Sequence, residues 1–358
     1  MPKAIRVGVM GCGEVAQVIH LPTLRDLSEL FEVSAFCDVS GAVLKRVGDQ
    51  WPSARRYLDP RSLIDDRRVD AVLIANPHVY HTATALAAMR AEKHVLIEKP
   101  MCVNLEEADA LLDCERRSGI VAQVGFMRRY APAFVEAAAK VSAVRGEIIL
   151  ARVHDVIGAN SMIIDSTSRV FRDVDEAAAL AQKVTVEMAA ATKRAIGDRS
   201  AEIARAYGLL LGLASHDISA MRELLGRPER VLCATQRLSG RVITATFDFG
   251  RYVCQFETAV DQIPHFDAHI EVCTDAQIFR LDYDTPYVRH QPARLSVTGR
   301  HGTAGLSQTS AFPSRYDSFA VEWREFHRNI VEGLRPKTSI ADAREDLEIF
   351  RDMAALME

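Results

Sequence analysis

The sequence lacks the features that would mark a disulfide scaffold, a zinc protein, a nucleic-acid binder or a membrane protein. Its seven cysteines (Cys12, Cys37, Cys102, Cys114, Cys233, Cys254, Cys273) are scattered and odd in number. No two stand at C-x-x-C spacing, so neither a disulfide framework nor a zinc site is supported and no metal is expected. Lys and Arg total 44 against 48 Asp and Glu, a net charge of −4. Without a basic surplus, neither nucleic acid nor an anionic membrane surface is an expected partner. The longest apolar runs fall far short of a bilayer span. Met1-Pro2-Lys3-Ala4-Ile5-Arg6 leads into strand-like text with no signal-peptide core, and a reduced cytoplasm is the expected home. What remains is globular composition, 48% apolar and 26% charged, over 358 residues. That length exceeds one ordinary core and predicts two domains.

The first half alternates strand-like and helix-like text. Ile5–Met10 is an apolar strand running into Gly11-Cys12-Gly13-Glu14-Val15-Ala16. Phe31–Cys37 ends at Asp38, a short strand is expected near Arg56-Tyr57, and Asp70–Ala75 closes on Asn76-Pro77. His94–Ile97 and Ile120–Val124 follow, with helical stretches at 40–50, 79–91 and 105–118. Strands separated by helices of ten or more residues predict a parallel sheet with right-handed crossovers.

Two motifs stand at strand ends, where an open parallel sheet binds its ligands. In the glycine turn, Gly11 permits a tight turn and Gly13 lets backbone approach a pyrophosphate resting on the helix N-terminus. Ala16 takes the third glycine position, and Asp38 follows Gly13 by 25 residues. The Asp38 carboxylate suits ribose hydroxyls and repels a 2′-phosphate, so NAD is favoured over NADP. The second motif is Val95-Leu96-Ile97-Glu98-Lys99-Pro100. A lysine partly withdrawn from water at a strand end can have its pKa drawn toward neutrality and exchange protons. The plainer account of Glu98 and Lys99 is a solvated ion pair.

With the glycine turn, Asn76-Pro77-His78-Val79-Tyr80-His81 and Glu98-Lys99-Pro100 all at strand ends, the chain resembles the glucose–fructose oxidoreductase/inositol dehydrogenase (Gfo/Idh/MocA) family. The resemblance is close over residues 5–130 and looser beyond. It implies an α/β fold: an N-terminal Rossmann dinucleotide-binding domain and a C-terminal α/β domain with a large, open, mostly antiparallel sheet. It also implies that Gly11, Cys12, Gly13, Glu14 and Val15 line the pyrophosphate and that Asp38 holds the ribose. Asn76, Pro77 and His81 would border the nicotinamide half, and Glu98 would contact the cofactor ribose. Lys99 would be the catalytic lysine. In Gly125-Phe126-Met127-Arg128-Arg129-Tyr130, Arg128 would touch cofactor or substrate edge and Tyr130 the substrate. For His78 and His81, an exposed position at a helix start is the plainer account.

The second half departs from the family pattern. Domains are expected at 1–125, at 126–335 with a helical insertion at about 156–206, and at 336–358, a last helix returning to the first domain. In the insertion, Val174, Ala178, Ala181, Val184 and Met188 suggest one apolar face, with Asp173 or Asp175 as N-cap. A packing or subunit-contact role competes there with a lid over the substrate. On the following helix the family usually carries an aspartate four residues before a histidine, one face of a helix apart. Here His216 is present and Gly212 takes the aspartate position. His216 is the expected catalytic partner of Lys99, and Asp217, His154 and Asp155 are candidate substitutes in the substrate site. Further strands are expected at 231–236, 242–249, 252–258, 268–273 and 277–283, forming a sheet that would pair subunits into a homodimer or homotetramer.

The expected activity is NAD-dependent interconversion of a secondary hydroxyl and a ketone on a sugar, cyclitol or related polyol. Two alternatives are a lyase or glycosidase that uses NAD transiently and a non-catalytic NAD-sensing regulator.

Overall fold

The computed structural model describes residues 4–358; the expected leader-free start at Met1, Pro2 and Lys3 lies outside the described residues. The chain forms two compact units, each discontinuous in sequence. The first comprises Met1–Gly125, Ser168–Gly197 and Glu322–Leu347; the second comprises Phe126–Thr167, Asp198–Val321 and Glu348–Glu358.

The first unit is built on six parallel strands: β1 Ile5–Met10, β2 Phe31–Cys37, β3 Arg55–Tyr57, β4 Ala71–Ile74, β5 His94–Glu98 and β6 Ala122–Gly125. Their order is β3-β2-β1-β4-β5-β6, the doubly wound arrangement of a dinucleotide-binding fold. Both faces of this sheet are covered, so the central strands are almost uninterrupted apolar runs. Ala71, Val72, Leu73 and Ile74 of β4 and Val95, Leu96 and Ile97 of β5 are all at 0% exposure. Trp323 and Phe326, from the helix Ser318–Glu332, join the core around Phe31 and Phe36. Trp323 meets Phe31 edge-on at 5.0 Å.

The second unit is an eight-stranded sheet: β7 Ile148–Gly158, β8 Arg230–Arg237, β9 Val242–Asp248, β10 Val253–Asp261, β11 Phe266–Thr274, β12 Gln277–Tyr283, β13 Arg294–His301 and β14 Gly305–Ala311. The order is β14-β13-β12-β11-β7-β10-β9-β8. Only the β7–β10 pairing is parallel. Period-2 alternation makes one face apolar: Ile243, Ala245 and Phe247 of β9 are buried while Thr244 is exposed.

The structure differs from the expectations in four places. Strands β13 and β14 were not anticipated, because β14, Gly305-Leu306-Ser307-Gln308-Thr309-Ser310-Ala311, is an edge strand exposed along almost its whole length. A strand that buries neither face leaves no apolar alternation to read. The stretch expected as part of the second domain's insertion divides, and 168–197 packs with the first unit. Its helix Val174–Ile196 starts at the Asp173 cap, as one of the two options required. The apolar face is displaced, however. Val174 is 75% exposed, and the half-buried seam runs through Leu180, Val184 and Met188 to buried Ala191. The last helix, Ile340–Leu356, was expected to return to the first domain; its residues up to Leu347 pack in the first unit and those from Glu348 onward in the second.

Candidate functional site

In the first unit the ends of β1, β2 and β4 converge on a cavity of about 860 Å³. Gly11, Asp38, Asn76 and Pro77 line it, with Val39, Leu58 and Ile64 as apolar wall. Gly11 has φ +92°, and a Cβ there would sit 2.6 Å from Ala75 O and from Asn76 N. Only glycine passes so close to the end of β4. Beside Gly13, by contrast, a Cβ would meet nothing within 4 Å, leaving room for a ligand at the turn. Asp38 is fixed by two backbone donors, Cys12 N–H to Oδ2 at 2.8 Å and Ser40 N–H to Oδ1 at 2.9 Å. Asn76 donates from Nδ2 to Thr84 at 3.0 Å, and its buried Oδ1 has no partner among the described residues. An orphaned acceptor on the wall, a fixed carboxylate and open space at the glycine turn suit a dinucleotide's amide, ribose and phosphate groups respectively. Cys12 is buried, with its thiol pushed well up by burial and by Asp38, so its backbone is the useful part. Val15 is half-buried, and Glu14 is bound by Arg172 at 2.6 Å.

Beside the cavity, β5 delivers Glu98 into a buried relay. Trp323 Nε1–H donates to His20 Nδ1 at 3.0 Å, and His20 Nε2 meets Glu98 Oε1 at 2.8 Å. Indole can only donate, so it fixes the imidazole proton on Nε2, aimed at Glu98. Glu98 Oε2 accepts the Lys99 N–H at 3.1 Å. Burial pushes the Glu98 carboxyl up, but the His20 hydrogen bond and electrostatic interactions with His20, Lys99 and His81 outweigh it and hold its pKa below the ordinary carboxylate range. The reverse holds for Glu322. It is 0% exposed, and both its oxygens lack a hydrogen-bond partner among the described residues. Burial, then the Glu98 charge, pushes its pKa well up, so it stays protonated beside ionised Glu98.

His81 is 1% exposed, with Nδ1 2.8 Å from Pro100 O and Nε2 2.7 Å from Asn76 O. It clasps the loop after β4 to the loop after β5. Burial lowers its pKa against the pull of the two carbonyls, so the neutral ring donates to one of them at a time. His78, half-buried next to it, is pushed down to about 3, first by burial and then by electrostatic interactions with His81 and Lys99. Neither histidine is the exposed helix-start residue of the plainer account.

In the second unit Arg128 is 3% exposed and bridges Asp155, at 3.2 Å, and Asp217. The rings of Tyr283 and Phe266 lie 5.1 and 5.4 Å from the guanidinium carbon. Burial pushes the Asp217 carboxyl well up, Arg128 opposes it and Asp155 adds to it. Asp155 Oδ1 and Asp217 Oδ2 each lack a hydrogen-bond partner among the described residues. One guanidinium between two carboxyls neutralises one charge, and the raised Asp217 carboxyl holds a proton that neutralises the other. The group is thus an internally balanced buried cluster of the second unit. Tyr130 is buried at 3% exposure. His216 is 7% exposed and meets Phe126 edge-on at 6.4 Å. A π-helical turn, Leu210–Ala214, precedes it and contains Gly212, where a Cβ would meet nothing within 4 Å.

His154 and Asp155 are neighbours on β7 and therefore face opposite sides of the sheet. Asp155 turns inward to Arg128. His154 lies on the outer side with Glu257 at 2.8 Å and Asp267 at 3.4 Å, stacked on His269 at 4.7 Å. Ligand-capable atoms of His154, Asp267 and His269 lie within 4.8 Å of one another, and each imidazole already faces a carboxylate. Asp217 and Asp155 come together; His154 does not join them.

Sequence reasoning passed over His20, Glu322 and Trp323. His20 was readable only as a polar residue on an apolar helix face, and Trp323 lies 303 residues from it. It also missed that Leu180, Lys183 and Glu187 form part of the cavity wall.

Residues 5–126 match the model of an oxidoreductase family with an NAD-binding Rossmann fold. Inositol 2-dehydrogenase 2 of Saccharopolyspora erythraea is 37% identical over 133 residues, covering 37% of this chain and 39% of that protein. Myo-inositol 2-dehydrogenase of Thermotoga maritima is 31% identical over 126 residues, covering 35% and 37%. The chain thus matches less than two fifths of the length of these two curated relatives. Two solved structures share the fold over nearly the full chain. A levoglucosan dehydrogenase in complex with NADH and levoglucosan has a TM-score of 0.76 at 18% identity, covering 99% of this chain and 98% of that one. A 3-ketoreductase from Actinomadura kijaniata in complex with NADP and TDP-benzene has a TM-score of 0.75 at 20% identity, with the same coverage. No helix among the described residues is long and apolar enough to cross a membrane.

Proposed function

We propose that the chain, whose residues 5–126 match the Gfo/Idh/MocA oxidoreductase family, interconverts a secondary hydroxyl and a ketone on a sugar, cyclitol or related polyol. The observation that supports the reading is the cavity bounded by Gly11, Asp38 and Asn76, with the Glu98-Lys99 end of β5 on the adjacent strand and His81 bridging Asn76 O to Pro100 O. NAD(P), when bound, supplies the hydride chemistry. Gly11 and Gly13 allow backbone to approach the pyrophosphate, and Asp38 accepts from ribose hydroxyls. A carboxylate at that position repels a 2′-phosphate and favours NAD over NADP.

Lys99 holds and moves the proton at Nζ: in the oxidation direction it takes the hydroxyl proton, and in the reduction direction it returns it. Its backbone is pinned by Glu98 Oε2, and Glu98 is pinned in turn by His20. In the second unit, His216 is the proposed hydrogen-bond partner of a substrate hydroxyl. A homodimer or homotetramer through the eight-stranded sheet and a cytoplasmic location complete the reading.

The test is Lys99→Ala with a panel of sugars, cyclitols and their keto forms, followed by nicotinamide absorbance. Turnover should fall by about 10²–10⁴ while NADH affinity stays close to wild type. Full turnover in the variant would overturn the role of Lys99. Turnover without net NADH accumulation would point to transient oxidation, and NADH binding without turnover on any substrate would point to a sensor. Faster turnover with NADP than with NAD would overturn the Asp38 argument.

A further inference from the structure

We propose that segment 168–197 is a strap that retains the dinucleotide, with Leu180 and Lys183 as cofactor-contacting residues. The proposal rests on the reading that the cavity takes NAD(P).

Leu180, Lys183 and Glu187 of the helix Val174–Ile196 belong to the same cavity wall as Gly11, Asp38 and Asn76. No deep core holds the helix there. Only Ala191 and Thr192 are buried, and Val186 is 67% exposed. Its attachments are polar and concentrated on the dinucleotide-binding turns. The Gln17 amide makes two bonds with the main chain of Phe171, donating to its O at 2.9 Å and accepting from its N–H at 2.8 Å. The same Nε2 reaches Cys12 O in the glycine turn at 2.7 Å. Arg172 pairs with Glu14 at 2.6 Å, and Arg46 lies over the Phe171 ring at 4.4 Å. Ser40, two residues past Asp38, donates its hydroxyl to Asp173 Oδ2 at 2.7 Å while capping its own helix at Val43 N. Asp173 Oδ1 caps the strap helix at Glu176 N. Two helix N-termini are therefore coupled through one Ser–Asp bond. Farther along, Tyr80 and Glu187 share the cavity wall, and Arg194 pairs with Glu107 at 3.2 Å.

The anchors thus fall on residues next to the phosphate turn, the ribose carboxylate and the Asn76-Pro77 loop. A dinucleotide lying from Gly13 to Asp38 leaves only when some of these polar attachments open. Such attachments are individually weak and partly exposed, which suits a segment that must lift and reseat. Leu180 supplies apolar cover for a purine base together with Leu58 and Ile64, and the Lys183 ammonium attracts a phosphate-bearing ligand.

The experiment is stopped-flow release of NADH from the full-length protein, chased with excess NAD. Leu180→Ala and Asp173→Ala should each speed release about tenfold, equivalent to ~1.4 kcal/mol. Lys183→Glu should raise the NADH Kd about fivefold. In the wild type, saturating NADH should slow tryptic cleavage after Lys183, Lys193 and Arg194, a readout that needs no variant. Release within twofold of wild type in all the variants, with no protection from trypsin, overturns the strap while leaving cofactor binding intact. A wild type that binds neither NADH nor NADPH overturns the cofactor reading and the strap with it.

Discussion

Trp323→Phe isolates the donor that fixes His20. Trp323 and His20 are both at 0% exposure, and the indole N–H donates to His20 Nδ1 at 3.0 Å. Phenylalanine keeps an aromatic ring against Phe31 and removes the donor. The buried Nδ1 is then left without its donor, at ~1–3 kcal/mol. The lost pyrrole leaves a void of about 40 Å³, worth ~1 kcal/mol. The expected loss is ~2–4 kcal/mol in the unfolding of the first unit at pH 7. With its proton no longer directed to Nε2, His20 supports the Glu98 carboxylate less well, and the lowered Glu98 pKa relaxes upward. A depressed carboxylate pKa contributes stability that is present above its unfolded value, 4.5 for Glu98, and lost as pH falls through the folded value. The variant has lost that contribution, so its deficit is largest near pH 7 and shrinks below about pH 4.5. The assay is denaturant unfolding of both proteins from pH 4 to pH 8, followed by far-UV circular dichroism. A deficit under ~0.5 kcal/mol at pH 7, or one independent of pH, would refute the relay.

The remaining predictions concern three buried ionisable residues, Glu322, Asp217 and Arg128, and the half-buried Gly212. Glu322 keeps its proton in the folded state and releases it when unfolded above about pH 4.5, so it costs stability as pH rises through that point. Glu322→Leu should therefore gain ~1–3 kcal/mol at pH 7 and little at pH 4, and the measured pH slope of unfolding should flatten. Asp217→Asn mimics a carboxyl that already carries a proton, and it should change stability by less than ~1 kcal/mol at pH 7. Arg128→Met strands two buried carboxyls and should cost ~3–5 kcal/mol; equal losses in the two variants by thermal denaturation would show that Asp217 carries no proton. Gly212→Asp puts a side chain where a Cβ meets nothing. It should fold with unchanged or slightly raised stability, since glycine is the poorer helix former by up to ~1 kcal/mol. A loss above ~1 kcal/mol in a melting experiment would mean that the π-helical turn requires glycine.

Much of the first unit was legible because its signals are local. An apolar run, a glycine that must take φ +92°, a carboxylate ending the next strand and a lysine ending the fifth all lie within short windows. The doubly wound order follows from alternation and handedness, which short segments encode. The exposed edge strand β14 was invisible because it buries nothing, and the seam of the strap helix was misplaced because its alanines fit several faces equally well. For the second unit, sequence reasoning identified Asp155 and Asp217 as the carboxyls to examine, but not that Arg128 neutralises them together.

By itself, then, the sequence determined the glycine turn after β1, the carboxylate after β2 and the lysine at the end of β5, because each depends on backbone geometry and on residues a few positions away. Only the tertiary structure decided what surrounds that lysine. Trp323 reaches His20 across 303 residues to orient the ring that holds Glu98, and Gln17 reaches Phe171 across 154 to tie the strap to the glycine turn. Such pairs are selected by burial and hydrogen-bond satisfaction in the folded core, and no spacing rule along the chain encodes them.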